Sequence, residues 1–238
     1  MDDGVHAGPA QHPLHDEHGI SLTALPQPAG TKRAVNLVGP DGRRLSLYDT
    51  TRARPGDRFP EAALRTLAAA SRHVHVTITQ PCAHALPVLR ETCVPLSTDL
   101  HAWDGENPYH EAFAHAADVV FLSAAALADP ERTMRRIEER GRASTVVATA
   151  GTDGAFLLAD GVLTRVPAAD PPAPVVDSNG AGDAFAAAFL YGRLAGEPPG
   201  RCARYGAVAG AHARTVPADR ADATGREELL RRAAGPSR

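Results

Sequence analysis

Cysteine is scarce in this chain, whose 238 residues include only three: Cys82, Cys93 and Cys202. Three scattered thiols are too few for a disulfide framework or a zinc site, so the cysteine usage favours a reduced, cytoplasmic setting. Aromatic residues make up only 5% of the chain. The core must therefore be built mainly from alanine, valine and leucine.

Long apolar runs are also missing. No stretch approaches the roughly 18 apolar residues of a membrane-spanning helix, and the first residues contain no apolar signal core. Neither sign of charge is in large excess, because the formal net charge is −3 with acids and bases interspersed. The sequence therefore predicts no nucleic-acid-binding surface and no membrane association, and it favours a small molecule as the substrate.

The chain does contain a regular alternation of strand-like and helix-like segments. Strands are predicted at 73–79, 94–98, 118–122 and 145–150, and helices at 61–71, 83–90, 108–116 and 130–140. Strands that alternate with helices of about ten residues are typical of a parallel sheet covered on both faces. The length fits one α/β domain over 1–238, with an irregular stretch at 1–28 and a C-terminal tail at 228–238 that begins with a short helix.

Two hairpins are predicted outside this alternation. The strand-like runs 34–38 and 43–48 flank an Asp-Gly pair, and the runs 155–159 and 162–166 flank another. An Asp-Gly pair between two such runs indicates a tight antiparallel turn.

The sequence D-S-N-G-A-G-D at 177–183 is the segment with the most chemical content. It leads into a small apolar segment with Phe185 and Phe189 four residues apart, which predicts a loop entering a helix that buries one face. Gly180 and Gly182 lack a Cβ, so several backbone N–H groups can turn toward one point and, with the helix dipole, bind an anion such as phosphate. Asp183 beside such a site suits proton transfer from an acceptor hydroxyl, although it could simply cap the helix.

Residues 177–185 resemble the C-terminal signature of the ribokinase-like (PfkB) family of carbohydrate kinases, usually written D-T-x-G-A-G-D-x-F, with Ser178 in place of threonine. The resemblance implies a ribokinase-like α/β fold with a mostly parallel central sheet and helices on both faces. It also implies Mg²⁺-assisted transfer of the γ-phosphate of ATP to a hydroxyl of a sugar or nucleoside. A second copy of the chain is the other candidate partner, because many relatives pair as homodimers through a lid of N-terminal strands; this chain would lack those strands if its N-terminal segment is missing.

The resemblance also implies roles for single residues of the signature. Asp183 would contact the acceptor and act as the catalytic base, and the backbone of Gly180, Ala181 and Gly182 would form the anion hole. Asn179, Gly180 and Gly182 would belong to the nucleotide site. Asp177 and Asn179 would help to bind a monovalent cation such as K⁺.

A second segment, T-A-G-T-D-G at 149–154, directly follows a predicted strand. Glycines at the carboxyl end of a parallel strand lie where open α/β sheets bind ligands. The segment resembles the family's T-x-G-x-x-G turn, which implies that Thr149, Gly151 and Gly154 line the ATP phosphates or ribose, while an ordinary turn into a hairpin is the alternative. By the same resemblance, residues 214–218 form one wall of the adenine pocket.

Asp99 lies at the end of another predicted strand. This carboxylate could contact the acceptor or the metal, or it could be a solvated loop aspartate.

Two departures from the family pattern favour a second hypothesis. The family often has N-x-x-E where this chain has S-A-A-A at 123–126, and that glutamate helps to order the magnesium water shell. The segments 2–4 and 14–20 resemble a passage that follows about three α/β units in full-length relatives, so we expect the N-terminal segment that supplies most acceptor-binding residues to be missing. The alternative function is therefore a catalytically impaired kinase fold that binds a nucleotide or a partner.

Overall fold

The computed structural model describes residues 19–20, 33–38, 44–49, 56–217 and 222–235. The chain divides into two compact units, Met1–Phe59 and Pro60–Arg238, which we describe separately. The single domain over 1–238 stays a prediction. Apart from residues 19–20, the predicted irregular stretch at 1–28 and the resemblance at 2–20 lie outside the described residues.

The first unit contains the first predicted hairpin. Strands β1 (Ala34–Val38) and β2 (Arg44–Tyr48) pair antiparallel, with Ala34 opposite Tyr48 and Val38 opposite Arg44. The strand pairing is confirmed, and the turn at 39–43 lies outside the described residues.

The second unit is built on a six-stranded sheet whose strands follow one another in chain order. They are β3 (Val74–Thr77), β4 (Leu96–Asp99), β5 (Val119–Ser123), β6 (Thr145–Thr149), β7 (Ala155–Ala159) and β8 (Val162–Val166). Strands β3 to β6 are parallel, and β7 and β8 add an antiparallel hairpin at one edge. The predicted mostly parallel sheet and the second predicted hairpin are confirmed.

Seven helices of the described residues accompany this sheet. They are α1 (Glu61–Ala69), α2 (Gln80–Glu91), α3 (Pro108–Ala116), α4 (Pro130–Arg140), α5 (Ala181–Leu194), α6 (Pro199–Ala213) and α7 (Arg226–Ala233). The side chain of Asp129 accepts a hydrogen bond from the Arg132 N–H at 3.0 Å, which confirms the predicted cap ahead of Pro130. Helix α7 confirms the short helix in the C-terminal tail and begins two residues before the predicted tail.

Helices cover both faces of the sheet. On one face, Val119, Phe121 and Val147 pack against Phe185 and Phe189 of α5 and against α6. The alternate strand residues Val120, Leu122, Val146 and Ala148 point to the opposite face and are buried together with Phe113, Met134 and Ile137 of α3 and α4. The two-faced architecture predicted from the strand and helix alternation is therefore confirmed.

Among the described residues, none of the helices combines the length and the apolar character needed to cross a membrane.

Candidate active site

Three parallel strands end at the same edge of the sheet. Their last residues are Asp99 of β4, Ser123 of β5 and Thr149 of β6. The start of α5 reaches this edge, because a Cβ built on Gly182 would lie only 3.8 Å from Oδ2 of Asp99. The fold therefore brings Asp99 next to the 177–183 signature, as expected for the carboxyl edge of an open α/β sheet.

Asp183 lies in the first turn of α5 but does not cap the helix. Gly180 occupies the N-cap position with a left-handed backbone (φ 76°), and Ala181 is the first helical residue. Asp183 is therefore the third residue of the helix, its side chain is exposed, and its carboxylate accepts no hydrogen bond from the described residues. The interpretation of Asp183 as a helix cap is wrong, because the cap is a glycine.

The backbone N–H groups of this turn are available to a ligand. The N–H of Ala181 donates only a long 3.4 Å hydrogen bond to the Ser178 carbonyl, and the first intrahelical bond runs from Ala184 to Gly180 at 2.9 Å. The N–H groups of Gly182 and Asp183 belong to the first turn, where an α-helix supplies no acceptor of its own. Together with the helix dipole they can stabilise a bound anion.

A cleft beside this turn brings the two predicted nucleotide-side segments together. Its empty volume is about 550 Å³, including space open to solvent. Thr149, Gly151 and Gly154 line it from one side, and Ala181 and Gly182 line it from the other. A cleft of this size, lined mainly by small apolar residues with few polar groups, is typical of a small-molecule site.

Sequence reasoning missed several lining residues of this cleft. They are Ala168, Ala169, Phe185, Ala207, Gly210 and Ala211, while Arg214 belongs to the predicted adenine wall. Gly210 has a structural reason to be glycine, because a Cβ there would lie 3.1 Å from the Ala181 carbonyl oxygen. Of the other residues of the predicted wall, 215–217 are not among the residues that line the cleft, and 218 lies outside the described residues.

The turn at 149–154 is both a hairpin connection and a wall of the cleft. It contains a short 3₁₀ segment (Gly151–Asp153), and the Ala150 N–H donates to the Gly154 carbonyl at 2.7 Å. Gly151 and Gly154 have φ values of 60° and 86°. Thus the turn does lead from β6 into the β7–β8 hairpin, as the simpler interpretation expected, while its glycines also face the cleft.

Asp177 and Asn179 lie on the loop before α5 and are not among the residues that line the cleft. The Asn179 N–H donates to Oδ1 of Asp177 at 2.8 Å. The loop is held to the end of α6, because the N–H groups of Val176 and Asp177 donate to the Arg214 carbonyl at 2.9 and 3.2 Å. The role of the two side chains as cation ligands stays a prediction.

Asp99 is a buried carboxylate, only 9% exposed. Its Oδ1 accepts a hydrogen bond from the His101 N–H at 2.7 Å, and the Nδ1 of His101 lies 3.8 Å from the same oxygen. His101 adopts a left-handed backbone (φ 51°), which is uncommon for a residue with a side chain. The interpretation of Asp99 as a solvated loop residue is therefore wrong, because the carboxylate lies inside the edge of the sheet.

Sequence reasoning also missed a pair of histidines around Ser97, two residues before Asp99. The buried Ser97 hydroxyl lies 2.7 Å from Nε2 of His73 and 2.8 Å from Nδ1 of His75. Desolvation is the main cause that lowers the pKa of both rings, while Asp99 and Asp183 act in the opposite direction on the pKa of His75. In the sequence, the histidines are simply polar residues that alternate with valines in a strand.

The lowered pKa values predict a pH dependence of stability. The unfolded chain binds protons at these histidines near pH 6.5, where the folded protein still keeps them neutral. Their contribution to stability is therefore complete above the unfolded pKa and is lost as the pH falls below it. We expect the Tm to decline between about pH 7 and about pH 5.5, and to decline less steeply in a His73→Gln, His75→Gln double variant. Parallel Tm curves for the two proteins would contradict this assignment.

Comparisons with known proteins identify the family of this chain. Residues 109–224 match the family model described as pfkB family carbohydrate kinase. The chain is 56% identical over 223 residues to the acarbose 7(IV)-phosphotransferase of Actinoplanes sp. (strain SE50/110), an alignment that covers 93% of this chain and 75% of the relative.

Solved structures show the same relationship. A microbiome-derived acarbose kinase is 40% identical and superimposes with a TM-score of 0.85 over 94% of this chain and 76% of that one. Ribokinase from Arabidopsis thaliana, solved with ribose and ATP, is 18% identical with a TM-score of 0.69 over 87% of this chain and 70% of that one, which shows the shared fold. The chain therefore belongs to the pfkB family of carbohydrate kinases, and it is an ATP-dependent phosphotransferase that acts on a sugar hydroxyl.

Proposed function

We propose that this kinase phosphorylates acarbose or a closely similar acceptor, with Asp183 as the catalytic base. The proposal for the acceptor rests on the two relatives that are named for acarbose, at 56% and 40% identity. The proposal for the base rests on one observation: an exposed carboxylate without a hydrogen-bond partner among the described residues stands on the first turn of α5, next to open N–H groups.

The residues of the site have complementary roles in this reaction. Thr149, Gly151 and Gly154 would hold the phosphates or ribose of ATP, because they line the cleft opposite the start of α5. The N–H groups of Gly180, Ala181 and Gly182 would stabilise the charge that develops on the transferred phosphoryl group. Asp183 would accept the proton of the attacking hydroxyl, and the buried Asp99 would contact the acceptor or a metal.

The donor set is compatible with Mg²⁺ that is bound together with ATP. Within the described part of the chain, no group of three or more His, Cys, Asp or Glu side chains converges to hold a metal. A phosphate-bound Mg²⁺ needs only one or two protein carboxylates and keeps several waters. Asp99 would supply such a carboxylate, and the ion would neutralise phosphate charge. Asp177 and Asn179 remain the candidates for a K⁺ site.

Phosphoryl transfer assays test this function directly. We expect the purified protein, with ATP and MgCl₂, to produce ADP and a phosphorylated product from acarbose, detected by mass spectrometry. Ribose and inosine, which are bound in two structural neighbours, serve as comparison acceptors. Binding of ATP without transfer to any of the three would instead favour the catalytically impaired alternative, to which Ala126 in place of the family's glutamate points.

Two further properties remain predictions. The cytoplasmic setting is supported by three cysteines that are all free in the structure. The homodimer is supported only by the family resemblance, and size-exclusion chromatography with light scattering would test it.

A further inference from the structure

A polar patch occupies one face of the sheet beside the start of α5. His75 and Thr77 are alternate residues of β3, and Ser97 and Asp99 are their register partners on β4, so all four side chains share a face. Parallel strands are normally apolar on both faces, because helices cover them. On the same face of β5, the partners are the apolar Val119 and Phe121. The four polar side chains thus form a patch on β3 and β4, next to the apolar Val119 and Phe121 of β5.

Within this patch, Ser97 fixes the orientation of His75. The hydroxyl has one proton, so it donates to one of its two histidine neighbours and accepts from the other. The contact uses Nδ1 of His75, at 2.8 Å. Its Nε2 has no hydrogen-bond partner among the described residues, and His75 is exposed as a residue although part of its ring is desolvated. His75 therefore presents one oriented nitrogen to a ligand.

The register places His75 near the proposed reacting groups, because its partner Ser97 lies two residues before Asp99 on β4. Asp99, Asp183 and His101 all act on its ring, the two carboxylates raising its pKa and His101 lowering it. The carboxylate of Asp99 is itself held next to Gly182. Desolvation outweighs these effects, so the pKa of the ring is lowered. A neutral imidazole can donate to or accept from a sugar hydroxyl.

We propose that His75 is an acceptor-binding residue, whose Nε2 forms a hydrogen bond with a hydroxyl of the sugar and thereby directs the reacting hydroxyl toward Asp183. This proposal rests on the proposed function. Ser97 acts through His75 as a positioning residue. The Ser97 hydroxyl forms its second hydrogen bond with His73.

Two substitutions of His75 distinguish the contribution of Nδ1 from that of Nε2. The amide of asparagine reaches only as far as Nδ1 of histidine, whereas the amide of glutamine reaches as far as Nε2. We expect His75→Asn to raise the KM for acarbose at least about tenfold, the effect of losing one hydrogen bond, while the KM for ATP stays within about twofold. We expect His75→Gln to keep the KM for acarbose within about threefold of the parent value.

His73→Gln is the matched control: its amide reaches as far as Nε2, the atom through which His73 contacts the same hydroxyl, and His73 faces Asp118 and Arg193 rather than the signature. We expect it to leave both KM values unchanged. An unchanged KM for acarbose in His75→Asn would overturn the proposal. So would equal increases for acarbose and ATP in both His75 variants, because that pattern indicates a structural role.

Failure of the proposed function would be distinguishable, since the parent protein itself would then transfer no phosphoryl group to acarbose. If the parent transfers no phosphoryl group, the Kd for acarbose, measured by calorimetric titration, tests the role of His75 in binding. A Kd about ten times higher in His75→Asn than in His75→Gln would support the role of His75 in binding. Equal Kd values, or no binding of acarbose by the parent, would overturn it.

Discussion

Replacing Asp183 by asparagine should lower kcat for phosphoryl transfer by about 10²- to 10⁴-fold, the usual contribution of a general base. The amide has the shape of the carboxylate but cannot take up the proton of the acceptor hydroxyl. The side chain is exposed and accepts no hydrogen bond from the described residues, so the fold loses only the favourable interaction of its charge with the dipole of α5, about 1 kcal/mol at most. Steady-state kinetics with ATP and acarbose, together with the Tm of the variant, provide the measurement.

Asp129→Asn is the control for this substitution. Asp129 also lies at the start of a helix, but there it caps α4 through the Arg132 N–H, a role that asparagine performs equally well. We expect its kcat and Tm to match those of the parent. If Asp183→Asn retained turnover within about tenfold of the parent, the proton would have to leave by another route and the assignment of the base would be wrong.

Much of the fold could be predicted because its signals are local. The β7–β8 hairpin was predictable to the residue, since an Asp-Gly pair fixes the turn between two runs of five. Strand β3 is shorter than predicted, ending at Thr77 instead of 79. The reason is that Thr79 is already the N-cap of α2, which begins at Gln80 with a proline in its first turn. Apolar alternation alone does not show where a strand gives way to a cap.

The same distinction applies to the candidate site: residues in contiguous motifs could be predicted, and residues brought together only by the fold could not. The signature and the 149–154 turn could be identified because each is contiguous in the sequence and carries glycine, a residue with a specific backbone use. The small residues Ala168 and Gly210 could not be identified, because their side chains carry no reactive or polar group and they contribute to the cleft only by leaving space for a ligand. His75 was missed for a different reason: its partners Ser97 and Asp99 come from the neighbouring strand, and only the register brings them together.

Two glycines of the cleft should respond to alanine in opposite ways, and Gly154→Ala should have the larger effect on folding. A Cβ at Gly154 would lie 2.1 Å from the Val166 carbonyl oxygen and 2.8 Å from the Ala168 nitrogen, and the backbone there has φ 86°. Both neighbours are backbone atoms that cannot turn aside. We expect the free energy of unfolding to fall by about 2–5 kcal/mol, from left-handed strain and overpacking together, as measured by urea denaturation.

Gly182→Ala should instead leave the protein folded and impair transfer. The residue is helical, and its Cβ would meet only Oδ2 of Asp99, at 3.8 Å, so stability should be unchanged or higher by up to about 1 kcal/mol. The added methyl group would stand beside the N–H groups proposed to hold the phosphoryl group, and kcat/KM for ATP should fall at least about tenfold. Normal kinetics in Gly182→Ala would mean that the anion does not approach this turn. Normal stability in Gly154→Ala would mean that the end of β8 can move away from the turn at little cost, and the close approach of Gly154 to Val166 would then not be the reason for a glycine at this position.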